Sequence, residues 1–301
     1  SHALESLLME DWHHEKLSIL LMNKINEEFD GELSMALEMF QGKYHRRFFN
    51  QLISSQLDVD RLDYLKRDSF FTGVSEGSVN TQRIISMMNV CDDELVIDEK
   101  GVYSIENFLT ARMFMYWQVY YHKTSALAEH LLVKILSRAK QLISEGKSIE
   151  AYGNLKYFLY KTDFEKATEE DINRFTQLDD TDVLSAIKTW QNVDDFVLSY
   201  FCRAVVQRKF PKTVFSSHPF DQKIIEEKTT KANDFFGINN GELLVEQISR
   251  TLLPYDTEKQ TIYLLKKNGE KIKLEDAETQ ILSAHINQPT TKNILYFPRE
   301  L

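Results

Sequence analysis

The apolar residues of the first two hundred positions recur at helical spacing, and that spacing constrains the fold more than any other feature. From Leu7 to Phe29, the residues Leu8, Trp12, Leu17, Leu20, Leu21 and Ile25 recur at roughly helical spacing, as in an amphipathic helix. Segments 34–42, 44–56, 58–70 and 81–90 carry the same signature. A long helix is expected over about 105–145, with a bend near "YHKTS", followed by another over 148–160. "ATEEDINRF" and "LDDTDVLSAIKTW" each place Thr or Asp ahead of an apolar run, where such residues cap helices. The punctuation agrees, because 10 Gly and 5 Pro in 301 residues leave few sites for a strand-and-turn architecture.

Strand signals are fewer. "ELVIDEKGVYSI" (94–105) reads as a small hairpin turning at Glu99-Lys100-Gly101. After Phe210-Pro211 the character changes: "TVFSS" and "TIYLLKKNGEKIKLED" alternate like strands, and Asn268-Gly269 is a strong hairpin-turn signal. Helices over about 219–236 and 275–284 are expected to pack on these strands. The expected fold is therefore mainly α, with a helical domain over 1–210 and a small α+β region over 211–301.

Charge and cysteine content exclude several classes. The formal net charge of −10 repels nucleic acid phosphate and anionic lipid, which leaves room only for a local basic pocket. Two cysteines, Cys91 and Cys202, make neither a disulfide framework nor a cysteine zinc site, and they fit a reducing cytoplasm. No run of 18 apolar residues exists, so no membrane span is expected. The start "SHALESLLMEDWHHEKL" lacks the basic lead and apolar core of a signal peptide.

Three constellations carry candidate chemistry. In "SSQLDVDRLDYLKRDSFFTGV" (54–74), Asp60, Tyr64 and Asp68 fall at i, i+4 and i+8 of one helix, flanked by Arg61 and Arg67. Such a row suits a metal–phosphate site, but a solvated face is the better reading on spacing alone; Asp63 and Arg67 form an ordinary surface pair. In "ARMFMYWQVYYHK" (111–123), Arg112, Tyr116, Tyr120 and Lys123 share a face that can hold a polyphosphate and a base. A tyrosine-rich core stripe with snorkelling cations is the commoner outcome of that pattern. The third constellation is His2, Glu5, His13, His14 and Glu15, where a His beside an acid can serve as general acid or base, although paired His near a helix start are more often exposed or capping than catalytic. H-E-x-x-H, the P-loop and G-x-G-x-x-G are all absent.

The stretch 54–74 closely resembles the last metal-site segment of HD-domain phosphohydrolases, in the branch of bacterial dGTPases and the vertebrate dNTP triphosphohydrolase. "TARMFMYWQVYYHK" is similar to that branch's Arg…Tyr-x-His-Lys helix. "SHALES" with "WHHEKLS" is similar to the segments that follow its HD motif. The resemblance covers roughly residues 1–145 and implies a helical bundle around a metal site of His, then His-Asp, then a distant Asp. On that resemblance Asp60 is the distant metal ligand, and Arg61 points toward phosphates. Tyr64 and Asp68 point toward the sugar, Arg112 binds phosphate, and Tyr120 lies beside the deoxyribose. Tyr121 stands where the vertebrate relative has Gln, so base selectivity does not carry over. His2 and His14 match histidines near the scissile phosphate, with Glu5 or Glu15 orienting His14. The family's earlier His and its His-Asp pair have no counterpart in these 301 residues. The expectation is an N-terminally incomplete domain that turns over little by itself.

The resemblance implies metal-dependent hydrolysis of deoxynucleoside triphosphates to deoxynucleoside and triphosphate. The divalent ion would be Mg, Mn, Fe or Zn. It also implies a possible nucleotide activator and a cytoplasmic homo-oligomer, with neither membrane nor nucleic acid as partner. The alternatives are an HD phosphohydrolase acting on nucleoside monophosphates or other phosphate esters, and a non-catalytic nucleotide-binding oligomeric scaffold.

Overall fold

The computed structural model describes residues 14–162, 168–258, 260–277 and 288–301. Among these, the N-terminal part holds the helices α1 (His14–Glu28), α2 (Ser34–Phe40), α3 (Arg47–Ile53), α4 (Val59–Thr72) and α5 (Thr81–Met87), then strands β1 (Met88–Cys91) and β2 (Glu94–Asp98). Helix α6 (Val102–Met115) runs into a π turn (Tyr116–Tyr120), and α7 (Lys123–Ser144), α8 (Gly153–Tyr160), α9 (Glu169–Phe175), α10 (Asp180–Trp190) and α11 (Phe196–Val206) follow. The remainder is β3 (Lys212–Ser216), α12 (Gln222–Phe236), β4 (Glu246–Leu252), β5 (Tyr263–Leu265), β6 (Lys271–Lys273) and β7 (Thr290–Phe297). The architecture is mainly helical, as the period of the apolar residues requires.

The chain divides into two compact units. One comprises Ser1–Leu21, Lys123–Ser249 and Lys292–Leu301; the other comprises Met22–His122 and Arg250–Thr291. The break expected near residue 210 falls inside the first of these, and residues 211–301 contribute to both.

In the first unit, α7 turns Leu127, Leu131, Ile135, Ala139 and Leu142 to one buried face at steps of three and four. Phe158, Ile187, Trp190, Leu198, Phe201 and Cys202 complete that core. Thr168 and Asp179 cap α9 and α10, each with a reciprocal capping box. A three-stranded sheet in the order β3-β7-β4 closes the unit, with β3 and β7 antiparallel from Lys212 opposite Phe297. Glu246 on β4 gathers three donors: His130 Nε2 lies 3.2 Å and the Tyr296 hydroxyl 3.1 Å from its Oε2, and Lys134 makes an ion pair. Burial raises this carboxyl's pKa, but hydrogen bonds from His130 and Lys134 outweigh it and hold the group down at about 2.

In the second unit, α4 starts at Asp58, whose side chain accepts from Arg61 N at 2.8 Å, and ends at Gly73 in the left-handed conformation. Leu57, Leu62 and Leu65 enter the core with Ile84, Ile105, Phe108, Leu109 and Met115. Gly77 lies against α6: a Cβ there would come within 2.6 Å of Met115 Cγ, so this close approach requires glycine. Residues Arg250–Thr291 return to this unit, where Tyr255, Ile262, Leu264 and Leu274 are buried in the same core. A four-stranded sheet in the order β1-β2-β5-β6 results, with β2 and β5 parallel.

Several expectations are corrected. The hairpin does not turn at Glu99–Gly101, which is a 3₁₀ turn feeding α6; β2 instead pairs with β1 across Asp92-Asp93. Both aspartates have positive φ, 51° and 60°, as the two-residue turn of a right-twisted hairpin demands. Asp93 is held there by Arg46 Nε and Arg47 N, each 2.7 Å from its carboxylate. The helix expected over 81–90 accordingly stops at Met87. That expected over 44–56 stops at Ile53, because Ser55 N donates to Asp58 at 3.1 Å and Leu57 N to Ser55 Oγ at 3.0 Å, which winds 55–58 into a turn. The long helix does break, at Tyr121-His122. The Asn268-Gly269 hairpin forms between β5 and β6, with Gly269 at φ 84°. The described part of the helix expected over 275–284 is a short 3₁₀ turn, Leu274–Asp276, and the rest lies outside the described residues.

Candidate functional site

Helix α4, the C-terminal end of α6 and the π turn bring five of the expected residues together in the second unit. Tyr120, carried on the π turn, donates its hydroxyl to Asp68 Oδ2 at 2.6 Å. Its ring meets Tyr64 edge-on at 6.1 Å and Tyr116 at 5.1 Å. The guanidinium of Arg112 lies 5.6 Å from the centre of the Tyr116 ring. A π turn has one more residue per turn than an α-helix, and here Tyr121 N reaches back to Tyr116 O at 2.6 Å. Lys123, expected on the same face, instead opens α7 beyond the break and is exposed, because the continuous helix that its spacing assumed ends at Tyr120.

Both arginines are tied to the turn that precedes α4. Arg61 Nη1 donates to Ser55 O at 2.5 Å and pairs with the Asp58 carboxylate, which is only 2% exposed. Arg112 is 8% exposed, and its Nη1 donates to Gln56 Oε1 at 3.3 Å and to the Pro254 carbonyl at 3.3 Å. The Nε of each arginine is buried without a hydrogen-bond partner. A buried donor left open in this way is costly unless a ligand or water satisfies it.

Tyr64 and Tyr120 stay protonated over the physiological range. Burial, then the neighbouring Tyr116, push the Tyr64 phenol up to about 12, against an opposing pull from Arg112 and Arg61. Burial and the hydrogen bond to Asp68 push Tyr120 well above the ordinary phenol value. The cluster therefore presents the neutral phenols of Tyr64 and Tyr120, the carboxylates of Asp68 and Asp58, and two cations, an arrangement that can bind an anion joined to a polar ring.

The comparisons with known proteins agree with one another. Residues 79–157 match the family model described as the HD associated region. A phosphohydrolase of known structure from Bacteroides thetaiotaomicron is 40% identical, with a TM-score of 0.92 over 99% of this chain and 75% of its own. The uncharacterized protein YwfO of Bacillus subtilis is 31% identical over the whole chain and 70% of its own length. The chain belongs to the HD phosphohydrolases. A third relative, from Dictyostelium discoideum, is named a deoxynucleoside triphosphate triphosphohydrolase SAMHD1 homolog; it is 28% identical over half of this chain and 32% of its own.

HD phosphohydrolases generally use divalent metals. Asp60, in the first turn of α4, is exposed. Among the described residues no group of three or more His, Cys, Asp or Glu side chains is placed to hold a metal ion. These residues thus supply one carboxylate and do not by themselves fit a metal centre. His14 and Glu15 are exposed in the first turn of α1 and belong to the other unit; His2 and Glu5 lie outside the described residues.

Sequence reasoning missed Asp58 as the partner of Arg61, and it missed Gln56 and the Pro254 carbonyl as partners of Arg112. A cap signal at Asp58, ahead of a helix, was available. Nothing local marks Gln56, since its contacts lie 56 and about 200 residues away.

Proposed function

We propose that this HD phosphohydrolase hydrolyses deoxynucleoside triphosphates to deoxynucleoside and triphosphate. The observation that carries the proposal is the juxtaposition of the buried, under-paired Arg112 with the Tyr64–Tyr116–Tyr120 cluster and Asp68. An anion on the arginine and a sugar against the phenols satisfy both halves at once. The name of the Dictyostelium relative supports the same substrate class.

On this reading Arg112 and Arg61 neutralise the triphosphate. Tyr120, held by Asp68, packs beside C2′ of the sugar and leaves no room for a 2′-hydroxyl, while Tyr64 lines the same pocket. Water adds to the α-phosphorus, and the bond to the 5′-oxygen breaks as a general acid delivers a proton to that oxygen. Asp60 is read as one ligand of a divalent ion.

The test is to incubate the full-length protein with each of the four deoxynucleoside triphosphates and with deoxynucleoside monophosphates, in Mg²⁺ and in Mn²⁺, and to separate the products by chromatography. Triphosphate and deoxynucleoside in equal amounts are expected. Turnover of monophosphates alone, release of single phosphates, or binding without turnover would overturn the proposal in favour of a different HD activity or a nucleotide-binding scaffold.

A further inference from the structure

Arg112 is unusual in what holds it. Both hydrogen bonds on Nη1 go to neutral acceptors, the Gln56 amide oxygen and the Pro254 carbonyl, whereas Arg61 is matched by the Asp58 carboxylate. Arg112 is more than nine-tenths buried, and among the described residues its Nε is unpartnered and no carboxylate pairs with it. A buried cation held only by neutral dipoles retains its charge for an incoming anion. Gln56 is itself fixed from the far side. Its Nε2 donates to Asp256 O at 3.1 Å, and its main-chain N donates to Gln260 Oε1 at 3.2 Å. These contacts orient the amide, with the oxygen toward the guanidinium and the nitrogen toward the carbonyl. The supports come from residues 254–260, whose place in the unit is secured by buried Tyr255, its hydroxyl accepting from Ile262 N at 2.8 Å.

We infer that Gln56 and the return segment through Pro254 are positioning elements for Arg112, gripping the guanidinium by Nη1 so that Nε and Nη2 face an oxyanion as a ready-made fork. This gives residues 250–262 a role in ligand binding although none of them need touch the ligand. The inference rests on the phosphate-binding reading of Arg112 and adds the device that makes that arginine rigid. A guanidinium already fixed loses no rotamer freedom when the anion arrives, and freeing one such side chain weakens binding by up to about tenfold.

The experiment is calorimetric titration of inorganic tripolyphosphate into the protein in metal-free buffer, for wild type, Gln56→Met, Arg112→Met and the double variant. Gln56→Met preserves length and apolar contact while removing both polar atoms. It is expected to weaken binding about tenfold, and Arg112→Met to weaken it further. In the Arg112→Met background, Gln56→Met should then change nothing more, an outcome that a merely structural role for Gln56 would not produce. Wild-type affinity in Gln56→Met, or a full additional loss in the double variant, overturns the positioning role while leaving the phosphate reading intact. Absent binding by the wild type, or unchanged binding by Arg112→Met, overturns the phosphate reading and the positioning role with it. Should Gln56→Met fail to fold, Gln260→Ala removes the support of the Gln56 main chain and leaves both Arg112 bonds in place. A smaller loss in the same direction is expected, and wild-type affinity overturns the inference.

Discussion

Tyr120→Phe removes one atom from the centre of the candidate site, and the structure sets the size of the effect. The lost hydroxyl donates to a carboxylate at 2.6 Å, so the bond is charge-assisted. Such bonds contribute about 1.5–3 kcal/mol, and because both residues are only half-buried the lower end applies, about 1.5 kcal/mol. The ring remains, so its edge contacts with Tyr64 and Tyr116 persist and add nothing to the loss. Urea unfolding, followed by circular dichroism and by tryptophan fluorescence, should show a lower midpoint with an unchanged slope. In an Asp68→Ala background the same substitution should cost almost nothing, so the cycle yields a coupling of about 1.5 kcal/mol. A cost below about 0.3 kcal/mol, or an equal cost in both backgrounds, would refute the claim that this bond organises the site.

Two further predictions concern the scaffold. The Glu246 carboxyl is depressed from its ordinary 4.5 to about 2, so its contribution is present above pH 4.5 and is lost as pH falls from there toward 2. The full shift corresponds to about 3.4 kcal/mol, but the side chain is 37% exposed, and screening reduces this to about 1–2 kcal/mol. Glu246→Gln should flatten stability over that pH range, and a wild-type acid profile in the variant would contradict the assignment. Gly77→Ala should destabilise the protein by about 1–3 kcal/mol, since its methyl group meets fully buried Met115; a thermal midpoint equal to wild type would show that Met115 gives way freely.

Sequence alone determined the features that depend on neighbouring residues. The helical period fixed the fold class, and the caps at Thr168 and Asp179 and the turn at Asn268-Gly269 all formed as local chemistry requires. The spacing of Asp60, Tyr64 and Asp68 put one face of α4 in view, and Asp63 with Arg67 is the exposed pair expected of that helix. Other local features were missed for want of a strong signal. The Asp92-Asp93 turn depends on left-handed residues that the favoured Asn-Gly or Asp-Gly pairs would have announced, and on anchoring by Arg46 and Arg47 some 46 residues away.

What only the tertiary structure decided is how the charges are spent. Periodicity shows that Arg61 and Arg112 stand on helices, but it does not show that one is matched by a carboxylate and the other by neutral oxygens. Nor does it show that residues 250–277 return to the unit they left at His122. The bond from Arg112 to Pro254 spans 142 positions. No local pattern encodes such a contact, because it depends on the net free energy of packing Tyr255, Ile262, Leu264 and Leu274 into a distant core. Local propensity placed the candidate residues on their helices; burial of a remote segment determined which arginine is held by neutral oxygens.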